Sequence, residues 1–130
     1  MRLQEFEIPI RFKSFNTYAG MSIKPQWRYK RDVQEEIVWR IRAGRIKRVK
    51  HPVFVTFVWY EDRKGREKAR DKDNVAYAKK FILDAMQERN ILPDDNDQWI
   101  LGFADYFIYG QGQKVVVKIQ EVDEANEVVT

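Results

Sequence analysis

Asp71 and Asp73 stand two apart at the end of a basic run that passes through Arg63, Lys64, Arg66, Lys68, Arg70 and Lys72. On an extended backbone, side chains at that spacing point to the same side and can converge on one hard cation. The same two residues also have a local use. Asp is strongly favoured at a helix N-cap, where its oxygen accepts from free amide N–H groups and the helix dipole favours negative charge. Further along, Asp94-Asp95-Asn96-Asp97 places three carboxylates in four residues. Acidic turns of this kind form because Asp and Asn hydrogen-bond their own backbone. Beside Asp71 and Asp73, this one also supplies the third carboxylate of a Mg²⁺ phosphodiesterase site.

Composition narrows the metal. The 130-residue chain has no cysteine and one histidine, His51, which removes disulfides, thiolate-held zinc, a cysteine nucleophile and a polyhistidine site. Carboxylates are the main remaining ligands, and they favour Mg²⁺ or Mn²⁺ over zinc. The net charge of +4 hides a segregation: residues 24–50 hold ten Lys or Arg against three acids, and residues 84–130 hold ten acids against three bases. That asymmetry predicts a polyanion-binding surface beside an acidic region, where the plainer reading is two solvated faces. Arg45, Lys47, Arg48 and Lys50 lie in a basic connector able to follow a phosphate backbone. Arg63, Lys64, Arg66, Lys68 and Arg70 form a second basic segment, whose field would draw a phosphodiester toward the carboxylates that follow.

The elements that must hold these residues can be read from periodicity. Residues 3–12 alternate, with Phe6, Ile8, Ile10 and Phe12 on one side, which predicts a half-buried strand; Pro9 makes it an edge strand or a bulged one. Residues 15–20 read as a loop. A helix is predicted from Pro25 to Gly44 on the stripe Val33, Ile37, Val38 and Ile41. Residues 53–60 are β-branched and aromatic throughout, which predicts a central strand covered on both faces. A second helix is expected from Asp73 or Asn74 to about Arg89, burying Val75, Ala78, Ile82, Ala85 and Met86. Residues 99–109 read as a strand, Gly110-Gln111-Gly112 as a hairpin turn, and Val115, Val117 and Ile119 as one face of the returning strand.

The result is one α+β domain of β-α-β-α-β-β order over residues 1–120, a mixed sheet with helices packed on it, followed by an acidic tail at 121–130 expected to fray. No apolar run approaches the ~20 residues that span a bilayer and no signal-peptide stretch opens the chain, so a cytoplasmic protein that does not enter membranes is expected.

In this order the parts resemble the RusA family of Holliday junction resolvases, small Mg²⁺-dependent endonucleases that nick four-way DNA junctions. The likeness covers nearly the whole chain. It rests on Arg70-Asp71-Lys72-Asp73-Asn74, which looks like the family's R-D-x-D-N, on Phe81-Ile82-Leu83-Asp84-Ala85-Met86, which is similar to its F-x-x-D-A-L helix, and on the acidic turn 94–97. The resemblance implies that Asp71 and Asp73 are catalytic metal ligands and that the third is Asp95, by the doublet Asp94-Asp95, or Asp97, by Asn96-Asp97-Gln98-Trp99. The family's catalytic-helix lysine falls on Tyr77 here. Lys79 or Lys80 replaces it if the helix carries an insertion, and counting back from Asp84 points to Lys80.

The implied activity is in-line attack of a metal-activated water on a DNA phosphodiester, with paired symmetric nicks made by a homodimer on a branched substrate. One difficulty is reach: a helix of about 16 residues is ~24 Å long, so carboxylates at its two ends meet only if the chain turns back or a second subunit supplies the acidic turn. The reading from another class is a non-catalytic DNA- or RNA-binding protein using the two basic segments for phosphate contacts.

Overall fold

The computed structural model describes residues 2–62, 70–93, 98–110 and 112–122. Its organising strand is β2 (Val53–Glu61), in which every second residue from Val53 to Glu61 is buried and those between are half-buried. β-branched and aromatic side chains at that period suit a strand with one face under a helical layer. Around it the order is β1 (Leu3–Ile8), α1 (Phe15–Ala19), α2 (Ile23–Ala43), β2, α3 (Lys72–Ala76), α4 (Lys79–Glu88), β3 (Ile100–Tyr109) and β4 (Lys114–Glu121). The four strands form one mixed sheet in the order β1-β4-β2-β3, with β3 parallel to β2 and β4 antiparallel to both β1 and β2. Thus β2 is interior, as expected, and β1 is an edge strand that ends before Pro9.

The core lies between one sheet face and the helices. Val55, Phe57, Trp59, Val117 and Ile119 from the sheet meet Val33, Ile37 and Ile41 of α2 and Ile82, Ala85 and Met86 of α4. The predicted apolar stripes of both long helices therefore sit where periodicity puts them. The expectation that β2 is covered on both faces does not hold within one chain: Phe54, Thr56, Val58 and Tyr60 are only half-buried and Tyr106 beside them is exposed.

Four local expectations are corrected. Residues 15–20 are not a loop, because Ser14 caps a helical turn by accepting from the Thr17 N–H at 3.2 Å. The second helix is not continuous. It breaks at Tyr77 and Ala78, where i→i+3 hydrogen bonds tighten the backbone and Tyr77 is drawn into an aromatic cluster with Phe15, Tyr18 and Phe81. The segment after β3 is not a hairpin: β4 crosses to the other side of β2, so β2 separates the two strands. Residue 121 does not belong to a frayed tail, for Glu121 is buried in β4 and accepts from Arg2, from the Lys50 N–H at 2.6 Å and from the His51 N–H at 3.2 Å; residues 123–130 lie outside the described residues. Among the described residues no helix is long and apolar enough to cross a membrane.

Candidate functional site

Asp71 and Asp73 open α3 at the end of the sheet where β2 finishes. Asp71 occupies the N-cap position, with φ −58° and ψ 140°, and its backbone carbonyl accepts from Val75 N–H at 3.2 Å, yet its side chain makes no capping bond. Asp73 lies in the first helical turn. The extended Asp71-Lys72-Asp73 backbone required for the simplest convergence is thus replaced by a helix start, with the two carboxylates on either side of its first residue. Both are exposed, and among the described residues neither has a hydrogen-bond or ion-pair partner. The capping position is filled while the capping carboxylate stays available to something else.

What fixes that backbone is Arg70. Its guanidinium donates to both oxygens of Glu61, at 2.7 and 2.8 Å, and to the carbonyl of Phe12 at 2.7 Å. Glu61 also accepts from Gln113 at 2.6 Å. Burial pushes the Glu61 carboxyl upward, but the hydrogen bonds from Arg70 and Gln113 outweigh it and the net shift is down, toward the charged form. The expected role of Arg70 as a DNA contact therefore changes: with three bonds inside the fold, it is the peg that ties the start of α3 to the end of β2.

The lysines separate cleanly. Lys79 reaches the sheet and bonds Asp105 at 2.5 Å, with 25% of its side chain exposed, whereas Lys80 is 66% exposed and lies 3.1 Å from Asp84 on its own helix. Asp105 is a site residue that periodicity alone does not pick out. Its other oxygen accepts from Trp59 Nε1 at 2.9 Å, and the signal for it is a lone carboxylate in an otherwise apolar strand, because such a group must find partners. Lys72 stands over the rings of Phe107 and Tyr109, at 5.8 and 5.9 Å from their centroids. Tyr77, at the family's lysine position, donates to the Lys13 carbonyl at 2.6 Å and is held protonated far above the usual phenol range, chiefly by burial. It cannot stand in for a cation.

A second feature lies at the opposite end of the sheet. Arg42, Arg45, Arg48 and Arg89 line a cleft of about 410 Å³ between the C-terminal ends of α2 and α4, with no carboxylate in its lining among the described residues. All four are exposed. Arg42 lies in the last turn of α2 and Arg89 at the C-cap of α4, where the helix dipole favours cations. Arg45 and Asn90, with φ of 53° and 57°, are the non-glycine residues that adopt positive φ among the described residues, and both line this cleft. Holding Arg45 there costs on the order of 1–2 kcal/mol, a cost tolerated more often at working surfaces than elsewhere. Lys47 and Lys50 are exposed on the same connector, whose backbone is anchored by Gln4 and by Glu121. Arg42 and Arg89 join Arg45 and Arg48 of the connector only through the packing of two helix ends.

Roughly 26 Å of strand separates these ends along β2. Arg63, Lys64, Arg66, Lys68, Asp95 and Asp97 lie outside the described residues. Just after the acidic segment, the Trp99 carbonyl accepts from Val53 N–H at 2.8 Å, at the arginine end and not at the Asp71 end. Breaking the second helix shortens α4 to about 15 Å, but it does not bring the described flanks of the acidic turn to α3. Among the described residues no three His, Asp or Glu side chains are grouped to hold a metal. Mg²⁺ needs only one or two carboxylates, with water and substrate phosphate completing the shell, so either exposed carboxylate, Asp71 or Asp73, fits a more open arrangement. No protein-family model matches the chain, and no curated protein matches it in sequence.

Proposed function

We propose that the chain is a Mg²⁺-dependent endodeoxyribonuclease that acts in the cytoplasm on branched DNA, resolving four-way junctions by paired symmetric nicks as a homodimer. The observation that carries this reading is the pair of exposed carboxylates at the mouth of α3, without partners among the described residues and set on a backbone that a buried Arg70–Glu61 pair holds in place. A protein that only bound polyanions would gain nothing from two free negative charges beside a basic segment, because they repel its ligand. Asp71 and Asp73 hold the ion, with Mn²⁺ as a substitute, and Asp95 or Asp97 adds a third carboxylate. A divalent cation bound there supplies Lewis-acid polarisation of a phosphodiester and a nucleophilic water at neutral pH. Lys80 offsets charge on the scissile phosphate, its side chain being 66% exposed against 25% for Lys79. Arg45, Lys47, Arg48 and Lys50, with Arg42 and Arg89, grip the backbone of a DNA arm some distance from the cut; Arg63, Lys64, Arg66 and Lys68 hold it close by.

Because the flanks of the acidic turn lie at the far end of the sheet, the reading favours a site shared between subunits. Mixing Asp73→Asn protein with Asp97→Asn protein then restores part of the activity, and no recovery after subunit exchange counts against sharing. The arginine cleft supports a second reading, a non-catalytic DNA- or RNA-binding protein, since it needs no carboxylate. The deciding experiment incubates the full chain with a labelled four-way junction and a linear duplex of the same sequence, in Mg²⁺, in Mn²⁺ and in EDTA. Paired nicks near the crossover that require the metal support the nuclease; tight junction binding without cleavage in either metal transfers the assignment to the binding protein.

A further inference from the structure

Two tryptophans of α2 stand in solvent, Trp27 at 68% exposure and Trp39 at 56%. Neither belongs to the stripe of Val33, Ile37 and Ile41 that packs on the sheet, and their surroundings differ. On a helix the neighbours of residue i are i±3 and i±4. For Trp27 these are Ile23, Lys24, Lys30 and Arg31, all exposed, and residues 23–31 contain no acid. For Trp39 they are Glu35, Glu36, Arg42 and Ala43, and its ring is already faced by the Arg40 guanidinium at 5.0 Å. Among the described residues Lys24 and Lys30 have no carboxylate partner, and Arg31 has only the adjacent, exposed Asp32 at 3.5 Å, a pair worth little in water.

Beside Trp27 lies a cleft of about 420 Å³ between α2 and α4. Trp27 and Val38 give it an apolar lining, Lys30 and Arg31 bring cations, and Glu35 and Glu88 bring carboxylates. Both carboxylates are exposed and, among the described residues, have no hydrogen-bond or ion-pair partner. Phosphate alone suits the arginine cleft; here Glu35 and Glu88 would repel it. A ligand that satisfies this lining has a flat apolar body, an anion at one end and N–H donors at the other. A nucleotide whose base carries an amino group meets all three demands.

We propose that the Trp27 face of α2 binds an unpaired, amino-bearing base of single-stranded DNA. The base stacks on the Trp27 ring with its amino group turned to Glu35 or Glu88, and the adjoining phosphates lie on Lys24, Lys30 and Arg31. Stacking on an aromatic side chain needs a base whose face is free, which a duplex does not offer. Cytosine and thymine then differ at one position. Cytosine presents an N4 amino group that a carboxylate accepts from, whereas thymine presents the O4 acceptor, which a carboxylate repels. The choice of DNA over RNA rests on the proposed function; the rest stands apart from it, since no metal takes part and neither do Asp71 and Asp73.

Binding is read in EDTA, so that a failure to cleave leaves the result untouched. The full chain is titrated at about pH 8 with oligo(dC), oligo(dT) and oligo(rC) of about twelve nucleotides, by tryptophan fluorescence and by anisotropy of the labelled strand. Oligo(dC) quenches the fluorescence and binds roughly fivefold tighter than oligo(dT). Trp27→Ala, which changes no charge, weakens oligo(dC) binding roughly tenfold and removes most of the quench. Trp27→Phe keeps most of the affinity and Trp39→Ala keeps all of it, with all three variants melting within a few degrees of wild type. Glu35→Gln with Glu88→Gln brings oligo(dC) and oligo(dT) to equal affinity, because an amide donates to O4 as readily as it accepts from the N4 amino group. Affinity indifferent to Trp27→Ala, an equal loss in Trp39→Ala, oligo(dT) bound as tightly as oligo(dC), or oligo(rC) bound more tightly than oligo(dC) would each overturn the proposal. No binding by any strand would overturn it as well and give the cleft to a protein segment.

Discussion

The two ends of the sheet handle charge in opposite ways. At the α3 end a cation is consumed inside the fold, Arg70 bonding Glu61 and the Phe12 carbonyl, and two carboxylates stay open to solvent. At the other end an anion is consumed, Glu121 taking Arg2 and two backbone N–H groups, and four exposed arginines surround a cleft. Each end keeps an Arg–Glu pair inside the fold and offers a different sign to solvent. Under the proposed function the first end does chemistry on a phosphodiester and the second holds the polyanion.

That division can be broken deliberately. The largest effect is expected at the clamp: Arg70→Met strands a buried carboxylate and destabilises the fold by about 3–5 kcal/mol, while the double replacement Arg70→Met with Glu61→Met recovers most of the loss. Thermal melts of the three proteins check this, and a single variant as stable as the double would show that the pair does not organise the α3 end. Next comes Asp71→Asn. Loss of groups that merely orient metal ligands costs 10–100-fold, so removing a ligand lowers Mg²⁺-dependent cleavage by at least ~10²-fold, with junction binding kept.

A smaller effect belongs to the cleft. Arg45→Gln with Arg89→Gln weakens junction binding by roughly tenfold and lowers the salt slope by about one for each lost phosphate contact, leaving the rate of cleavage within the bound complex unchanged. Titrations at several salt concentrations, with single-turnover rates at saturation, separate the two quantities.

The least effect is the pH dependence of the clamp. The Glu61 carboxyl is depressed in the folded state, so its contribution is present in full above the unfolded carboxylate value of ~4.3 and is lost as pH falls through the lower folded value. Between pH 7 and 3 the wild type should lose more melting temperature than the Arg70→Met, Glu61→Met double variant, which has no charge there to protonate.

How much of this is legible in the sequence depends on how far each residue's partners lie along the chain. The stripe Val33, Ile37, Ile41 and the alternation of Val53 to Glu61 carry their own period, and both elements stand where that period places them. The break at Tyr77 has no proline or glycine to announce it, because its cause is an aromatic cluster assembled from Phe15, Tyr18 and Phe81. Gly110 and Gly112, with φ of 83° and 89°, look in the sequence like a hairpin turn; that β2 lies between the two strands they join is decided elsewhere. Glu121 looks like the start of an acidic tail because its partners Arg2 and Lys50 are 119 and 71 residues away.

At the candidate site the carboxylates Asp71 and Asp73 are visible by type and spacing. The structural engagement of Arg70 is not, since Glu61 lies across a basic segment and Phe12 in another element. Asp105 is visible in principle as a lone charge in an apolar strand. Arg42 and Arg89 cannot be joined to Arg45 and Arg48 by any spacing rule, because two helix ends meet to make the cleft.

That one end cuts and the other holds is tested most directly by measuring junction binding and Mg²⁺-dependent cleavage side by side for wild type, Asp73→Asn and the Arg45→Gln, Arg89→Gln pair. A division of this kind predicts that Asp73→Asn binds like wild type and does not nick, and that the arginine variant binds weakly but nicks at the wild-type rate once saturated. Cleavage that survives in Asp73→Asn, or binding that is indifferent to the two arginines, would contradict it.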